Sequence, residues 1–434
     1  MVETSKRPAT GRRFWWMLVV LMILLNFTLW QRPLISAWLG ARALKSASND
    51  DSASAARYIE WSRLVWRQSP EAAMAAARMA RRESKLDEFS LELKRARYLG
   101  ISSERADREV FLASAQSGQL RQVEGQLSEM IETSGNDGPQ ICEAFAQGYM
   151  RMRDYSSALT LLKAWAKDYP SDARPYAWIG LIHAEMQSNE AAEDAFRTAL
   201  RLDGKNARAA QGLGSLLFEL KRPSEAVPFF RVALDNEAVG PEAVVGLANS
   251  LQSLSKAEEA MSVLETGAKR FPGNDSILGA TADAYIKQGR YGDAEKLLAA
   301  KIRSGTRRRE LRYFYAIALR GLDRADEAVE HFSYAAEANE KMVEANHRVA
   351  EVADRPNDAQ LRSSIGETYL KYGNIEDGLM WISSSLEINP DNYSAHLALA
   401  DYYKTHSREN PKFIPLAQQH RAIADALGRK GHGN

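Results

Sequence analysis

Histidine is the residue type in this chain that most invites a search for catalysis or metal binding. Three of the seven histidines, His396, His406 and His420, fall in one short C-terminal stretch. Neither an HExxH nor a CxxC pattern accompanies them, and those spacings are the ones that commonly present zinc ligands. We therefore predict no metal site, no catalytic residue and no cofactor, and we disfavour the alternative of an enzyme that uses these histidines.

Two further residues are candidates for chemistry, and both favour a packing role. Cys142 is the only cysteine, which excludes an internal disulfide, and it lacks a recognisable activating partner, so we predict a buried, inert thiol. His183 stands where a large packing residue recurs along the chain, which favours a core position. GxxxxGK[ST], GxSxG and GxGxxG motifs are absent from the sequence.

A short basic run could bind anions. It contains five arginines: Arg303, Arg307, Arg308, Arg309 and Arg312. One interpretation is a solvated loop that leads into a helix. The other is an anion site for acidic partner segments or lipid headgroups, because guanidinium groups form strong, bidentate hydrogen bonds with carboxylates and phosphates.

The elements that would position these residues repeat every 34 residues. One series contains only alanine: Ala158, Ala192, Ala226, Ala260, Ala294 and Ala328. Two series contain mostly large residues: Tyr149, His183, Leu217, Leu251, Tyr285 and Leu319, and Leu162, Phe196, Phe230, Leu264, Leu298 and Phe332. Apolar residues at i, i+4 and i+7 within each unit predict two amphipathic helices, and breakers such as Gly289 and Gly373 separate them.

This pattern resembles the tetratricopeptide repeat family. The unit at 139–172 carries the family's order of large, small and aromatic residues: Phe145, Ala146, Tyr149, Ala158, Leu162 and Pro170. The resemblance implies an all-α fold, a right-handed superhelical solenoid of helix pairs whose first helices line a concave groove for protein partners. With its N-terminal apolar segment and its ending SAHLALADYYK…QHRAIADA, the chain is also similar to membrane-anchored tetratricopeptide proteins of planctomycete-like bacteria.

The resemblance places a set of mostly apolar and aromatic residues in the groove: Met150, Trp178, Leu181, Phe218, Val245, Ile286, Tyr313, Phe314 and Ile317. Such a groove suits a helix or an extended peptide with hydrophobic anchors. Packing between adjacent repeats is the alternative for several of them. Asn249 fits the carboxylate-binding set of the family, but Val245 stands where that set has lysine, so this binding mode is not expected.

The N-terminal segment Phe14–Trp30 contains 17 residues without a charge. At about 1.5 Å per residue it reaches roughly across a bilayer, and tryptophans at both ends are typical of a spanning helix. More basic residues precede the segment than follow it closely, which predicts a cytoplasmic N-terminus and an extracytoplasmic repeat array. A signal peptide cleaved near Ala41-Arg42-Ala43 is the alternative, and a buried core helix is a third, weaker one.

These patterns together predict an order of segments along the chain. We expect a cytoplasmic tail at 1–13, a transmembrane helix at 14–32, a linker at 33–50, degenerate Ala-rich helical repeats at 51–138, regular repeats at 139–336, an inserted helix at 337–358, C-terminal repeats at 359–427 and a flexible tail at 428–434.

Composition limits the class of function. The 57 basic and 56 acidic side chains nearly balance, which argues against nucleic acid as a partner. We predict a scaffold that binds protein partners, anchored in the cytoplasmic (inner) membrane with its repeats in the periplasm, and that organises an envelope, secretion or export assembly. The alternative is an accessory subunit of a cofactor-maturation or glycan-transfer enzyme complex.

Overall fold

A computed structural model describes residues 31–48, 51–120, 123–133, 135–236, 240–352, 354–408 and 410–431. Within these ranges all regular secondary structure is helical. Residues 14–30 of the predicted transmembrane helix lie outside the described residues. No helix in the described part of the chain combines the length and the apolarity that crossing a membrane requires.

The helices follow one another along the chain as antiparallel pairs joined by short turns. Up to residue 168 they are α1 (31–48), α2 (Ser52–Val65), α3 (Pro70–Arg82), α4 (Leu86–Tyr98), α5 (Ser103–Gln116), α6 (Leu127–Glu132), α7 (Gly138–Arg151) and α8 (Tyr155–Asp168). The next are α9 (Arg174–Glu185), α10 (Asn189–Leu202), α11 (Ala207–Glu219), α12 (Pro223–Leu234), α13 (Pro241–Ser253), α14 (Ala257–Arg270), α15 (Asp275–Lys287) and α16 (Tyr291–Arg303). The last are α17 (Arg309–Gly321), α18 (Ala325–Glu351), α19 (Ala359–Tyr372), α20 (Ile375–Ile388), α21 (Tyr393–His406) and α22 (Phe413–Gly431).

These helices form two compact units. The first unit contains the chain up to Ala113 together with Thr133–Gln140, and the second contains Ser114–Glu132 and the chain from Ile141 onward. The core of the first unit is rich in alanine, with Met74, Phe89 and Leu93 as its large buried residues. Small side chains allow the helices of this unit to approach one another closely.

The turn inside each pair has one repeated backbone geometry. Six residues spaced by 34 adopt positive φ: Arg153, Gln187, Lys221, Ser255, Gly289 and Asp323. The residue just after each of them donates its backbone N–H to the carbonyl five residues earlier, as in Ser188 to His183 at 2.8 Å and Arg222 to Leu217 at 2.8 Å. This is the Schellman closure, which satisfies carbonyls that the helix itself leaves open. The large residues Tyr149 to Leu319 are those whose carbonyls close the turns.

The same turn geometry extends into the Ala-rich region. Ser84 has φ 58° and Gly118 has φ 93°, and these two positions precede Arg153 by nearly whole repeat lengths. The region 51–138 therefore keeps a period close to that of the regular repeats, although its packing residues no longer match theirs.

Aromatic rings of the second helices set the spacing between neighbouring pairs in the second unit. Phe230 is buried, and it lies between Gly214 of its own pair and Gly246 of the next. A Cβ on Gly246 would lie 2.3 Å from Phe230 Cζ, and a Cβ on Gly212 would lie 2.5 Å from Phe196 Cζ. Glycine is thus required sixteen residues after each of these phenylalanines. Where leucine replaces the ring, at Leu162, Leu264 and Leu298, the residue sixteen positions later is larger: Trp178, Ala280 and Phe314.

The prediction of a separate inserted helix at 337–358 is wrong. The extra residues extend the second helix of its pair, so that α18 is one helix of 27 residues. Its sequence from Ala325 to Glu351 contains no proline or glycine, so nothing in it interrupts the helix. The extension packs against α19: Tyr369 donates to Asn346 Oδ1 at 3.0 Å and Tyr372 donates to Glu337.

Two other predicted boundaries also differ from the structure. Residues 31–48 are helical where we expected the linker 33–50. Helix α22 continues to Gly431, so 428–431 do not belong to a tail. Residues 407–412 separate α21 from α22.

The second unit curves back so that its beginning touches its C-terminal part. Ser384 Oγ on α20 lies 3.6 Å from Met152 Sδ, in the turn that follows α7. The guanidinium group of Arg153 lies 5.9 Å from the ring of Trp381, which is fully buried. These contacts join residues more than 200 positions apart and constrain the curvature of the solenoid.

Candidate partner-binding surface

First helices of successive pairs stack side by side in the second unit. α9 packs on α11, α11 on α13, α13 on α15 and α15 on α17, while α19 packs on α21. Between α17 and α19 the extension of α18 packs against α19. We call the surface that these stacked helices present the first-helix face, and it is where the predicted groove residues belong.

Most predicted groove residues are half-buried by packing between repeats. Leu181, Phe218 and Val245 pack against the central core of the second unit, and Ile286 and Phe314 pack against the next core cluster. Met150 and Ile317 are half-buried as well. Tyr313 is different, with 47% of its surface exposed beside Phe314 and Phe332. The contacts of these residues account for their apolar character through packing, and their role in partner binding stays a prediction.

Trp178 connects three successive first helices. Its indole Nε1 donates to Glu143 Oε1 on α7 at 3.3 Å, and the guanidinium group of Arg208 on α11 lies 4.3 Å from its ring. Arg208 and Glu143 also form an ion pair at 3.7 Å. The ring therefore has polar partners inside the array, which is typical of a buried or half-buried tryptophan.

The five arginines of the basic run divide into paired and unpaired side chains. Arg308 lies 3.5 Å from Asp275, Arg309 pairs with Glu310 at 2.8 Å, and Arg312 donates to the Thr306 carbonyl at 2.8 Å. Arg303 and Arg307 are exposed and form no ion pair among the described residues. The run as a whole is thus not one anion site, but two of its members remain available.

A cavity of about 1030 Å³ opens beside this run. Helices α17, α18, α19 and α21 and the loops that flank α17 and α21 line it, at the position where the α18 extension separates the stacked helices. We call it the basic pocket. Its charged and aromatic lining residues are Arg307, Arg312, Lys371, Lys404, Arg408, Glu367, Asp401, Tyr334 and Tyr402.

Positive charge predominates in the basic pocket, with five Lys or Arg side chains against two carboxylates. Arg312 stacks over Tyr334 at 4.4 Å, which holds the guanidinium group in place. A hydrogen bond with Tyr372 raises the pKa of Lys371, so this side chain stays charged. Lys404 and Arg408 are exposed and have no ion-pair partner in the described residues. Such a cavity favours binding of anionic groups.

Sequence reasoning found Arg307 and Arg312 but missed Lys371, Lys404 and Arg408. The available signal was a lysine near the C-terminal end of two successive first helices, α19 and α21. The 27-residue helix α18 interrupts the regular repeat between these lysines and the arginines. Only the folded chain therefore shows that both line the same cavity.

The three C-terminal histidines make hydrogen-bond contacts within the last helix pair and the turn before it. His396 Nε2 lies 2.9 Å from the Pro390 carbonyl, and its Nδ1 lies 2.9 Å from His420 Nδ1, while His406 bonds to the Tyr402 carbonyl in its own helix. No group of three or more His, Cys, Asp or Glu side chains suited to a metal ion occurs in the described ranges. His432 lies outside them.

Cys142 is buried, as predicted. Burial, reinforced by the carboxylate of Asp168, raises the pKa of its thiol to about 12. The thiolate, which is the nucleophilic form, is therefore scarce at neutral pH. His183 is half-buried rather than fully buried, and its Nδ1 has no hydrogen-bond partner among the described atoms.

The histidine pair makes the stability of the C-terminal helix pair depend on pH. Burial and the neighbouring His396 lower the pKa of His420 below 6.5. Because His420 is harder to protonate in the folded state, the stability that the neutral side chain contributes is fully present above pH 6.5. It is lost as the pH falls through the lowered pKa. We expect faster hydrogen exchange in α22 at acidic pH after correction for intrinsic rates. His420→Gln should remove this dependence, whereas His347→Gln, at an exposed histidine, should retain it.

Several solved structures are similar to part of this chain at low sequence identity. They include the Pseudomonas aeruginosa protein pilF (20% identity, 44% of this chain and 88% of that chain covered, TM-score 0.39). PilW, described as a type IV pilus biogenesis factor, is 19% identical, with 51% and 96% covered and a TM-score of 0.41. YrrB, described as a tetratricopeptide protein with an unusual peptide-binding site, is 17% identical, with 54% and 95% covered and a TM-score of 0.30.

No curated protein sequence matches this chain. Family models for the tetratricopeptide repeat do match it. One covers residues 143–203, 179–243 and 280–343, and a second covers 251–302. The matched ranges contain the 34-residue series, the Schellman turns from Arg153 to Asp323 and the contact of Phe196 with Gly212. The region of the chain between residues 143 and 343 therefore consists of tetratricopeptide repeats.

Proposed function

We propose that this protein is a membrane-tethered scaffold that holds an acidic segment of a protein partner in the basic pocket. The observation that carries the proposal is the excess of cationic side chains in that cavity, where the side chains of Arg307, Lys404 and Arg408 have no ion-pair partner among the described residues. Tetratricopeptide repeats bind proteins, and the pocket lies where their stacked first helices open. An assembly for envelope biogenesis, secretion or export is the setting that we propose for the scaffold.

The lining of the pocket favours a peptide with both acidic and apolar side chains. Leu370, Leu397 and Ala398 supply apolar surface between the lysines and the arginines. Aspartate or glutamate residues would pair with the cations, and an apolar residue between them would bury surface on these three side chains. Complementary charge also accelerates encounter with the partner, and salt weakens this effect.

Binding of an acidic peptide tests this function. A fluorescein-labelled peptide of alternating Glu and Leu should bind the purified chain, and its affinity should fall with added salt. Arg307→Glu combined with Lys404→Glu should weaken binding at least about tenfold, because repulsion replaces attraction at two unpaired sites. Lys269→Glu, on the second-helix side of the array, is the matched control and should bind normally.

Equal affinity of the wild type and the pocket variant would contradict the proposal. So would equally tight binding of a peptide in which lysine replaces glutamate. Thermal unfolding of both variants shows whether a loss of binding reflects a loss of fold.

The partner can be identified by crosslinking in intact membranes. A photo-reactive residue at Thr405, which lines the pocket, should capture a partner, whereas one at the exposed Glu265 of α14 should not. Capture of an assembly component supports the scaffold. Capture of a cofactor-maturation or glycan-transfer enzyme would support the accessory-subunit alternative instead.

Two observations support the membrane tether: the uncharged segment Phe14–Trp30, and the burial of residues that follow it. Leu39 and Ala43 are buried in the first unit. Removal of a signal peptide after Ala43 would therefore take core residues with it, which favours retention of the segment. Basic residues precede the segment, which favours a cytoplasmic N-terminus and periplasmic repeats.

A topology experiment checks the tether. A phosphatase reporter fused to the C-terminus should be active, and the mature protein should retain residues 1–13. A mature N-terminus at Leu44 would show that the segment is a cleaved signal peptide, and an inactive reporter would place the repeats in the cytoplasm.

A further inference from the structure

One end of the α1–α2 pair exposes an unusual number of large apolar side chains. On α1 they are Leu34, Ile35 and Trp38, and on or just after α2 they are Trp61, Leu64 and Trp66. Leu34 and Leu64 are 72% and 76% exposed. We call these six residues the tryptophan patch. Exposed clusters of this kind mark contact surfaces.

A buried serine contact brings the two halves of the patch together. Ser36 Oγ donates to the Ser62 carbonyl at 3.0 Å or to the Trp66 carbonyl at 2.9 Å, and Ser62 Oγ donates to the Ser36 carbonyl at 3.0 Å. Ser36 and Ser62 are fully buried. The described start of α1 is therefore held against the C-terminal end of α2, and all six apolar side chains lie at this one end.

The two stretches that carry the patch are basic. Residues 31–46 and 61–70 contain Arg32, Arg42, Lys45, Arg63 and Arg67 and no acidic residue, although Glu60 directly precedes the second stretch and Arg63 pairs with Glu92 at 2.8 Å. The other four form no ion pair among the described residues. The guanidinium group of Arg42 lies 4.8 Å from the ring of Trp38. Tryptophan and arginine together suit the boundary between lipid headgroups and acyl chains, where rings and aliphatic stems enter the apolar side and charges reach phosphates.

We propose that the tryptophan patch lies in the headgroup layer of a membrane with anionic lipids. The inference rests on the proposed tether, because Leu34 follows the uncharged segment Phe14–Trp30 by only four residues. At about 1.5 Å per helical residue, the patch begins within about one helical turn of that segment. A chain that leaves the bilayer there cannot hold these side chains far from the lipid surface. Four basic residues without an ion-pair partner among the described residues favour anionic lipid as the occupant, because a second copy of this chain would bring the same positive charges.

Depth-dependent quenching in nanodiscs tests the patch on the full chain. Ile35→Cys and Leu64→Cys would each carry an environment-sensitive dye, with Tyr98→Cys, an exposed site in the same unit, as the matched control. Unsubstituted protein gives the background, since its single cysteine is buried. We expect blue-shifted emission at 35 and 64, and quenching by lipids brominated near the headgroup at least about fivefold stronger than at 98.

The outcomes separate the patch from the tether and from the basic pocket. Anchored protein whose dyes at 35 and 64 report water would overturn the patch and leave the tether intact. A blue shift without lipid quenching would mean that protein, such as a second copy, covers the patch, which also overturns it. Protein that does not remain with the nanodiscs would contradict both the tether and the patch. Binding of the acidic peptide should be unaffected in every case.

Discussion

Replacing Glu109 with alanine is expected to destabilise the first unit by about 3–5 kcal/mol, the typical effect of removing one partner from a buried ion pair. Glu109 is fully buried on α5 and bonds to two arginines of α3 that are also buried, Arg78 and Arg81, the latter at 3.0 Å. Arg78 pairs in addition with Asp137 at 3.0 Å. Alanine would leave two guanidinium groups in the interior without their shared carboxylate.

Glu104→Ala is the control, because it removes a mostly exposed carboxylate of the same helix that pairs with Arg108 at 3.4 Å. Its expected cost is at most about 0.5 kcal/mol. Hydrogen exchange in α3 and α5 measures both variants. Equal protection in Glu109→Ala and wild type would show that the buried network contributes little to stability.

The same network predicts a loss of stability in acid. Burial raises the pKa of Glu109, but the attraction and hydrogen bonds of Arg78 and Arg81 outweigh this effect, so its pKa lies below the ordinary value of 4.5. Because this pKa is lowered, the stability that the ionised Glu109 contributes is present above pH 4.5 and is lost as the pH falls through the pKa of the folded state. Glu109→Ala should lack this step.

The second large effect is expected where Phe230 meets Gly246. Gly246→Ala should cost about 1–3 kcal/mol, because the new methyl group would lie 2.3 Å from a ring that is buried and cannot move aside. This loss should exceed the gain of up to about 1 kcal/mol that alanine brings to a helix interior. Phe230→Leu alone removes packing volume and should also be destabilising.

The double variant distinguishes this contact from a general sensitivity of the core. Phe230→Leu with Gly246→Ala recreates the combination found one repeat later at Leu264 and Ala280. It should be more stable than the sum of the single changes predicts, with a favourable coupling that a double-mutant cycle measures by thermal unfolding. Strict additivity would mean that the ring and the glycine do not limit each other's size.

The repeat, its turns and its helix pairs were predictable because each depends on local chemistry that recurs every 34 residues. A small residue recurs at the helix contacts, and Gly289 marks one of the loops. The left-handed turns at Gln187 and Lys221 have no glycine and became visible only in the structure. The sequence also shows that glycine stands sixteen residues after Phe196 and Phe230, whereas a larger residue stands sixteen residues after each leucine that replaces them. Recognising this pattern required knowing that these residues meet across the join between pairs.

The sequence indicated residues of the first-helix face but not the basic pocket. The family pattern placed Trp178 and Phe314 in a groove, and both also carry packing or polar contacts within the array. The basic pocket was missed because its residues come from α17, α19 and α21, which the long α18 brings together. A repeat pattern specifies how adjacent helix pairs stack. It does not specify which side chains line the cavity where the stack is interrupted.

The sequence by itself determined the class of fold, the repeat register and the uncharged N-terminal segment, because local periodicity and short-range packing encode them. Only the tertiary structure showed that Glu109 bonds to two buried arginines and that Met152 contacts Ser384. Only the tertiary structure, likewise, showed that Ser36 and Ser62 hold the exposed ends of α1 and α2 together. Each of these contacts joins residues distant in sequence. Their proximity depends on small rotations between successive helix pairs, which add up along the chain and which no single repeat reveals.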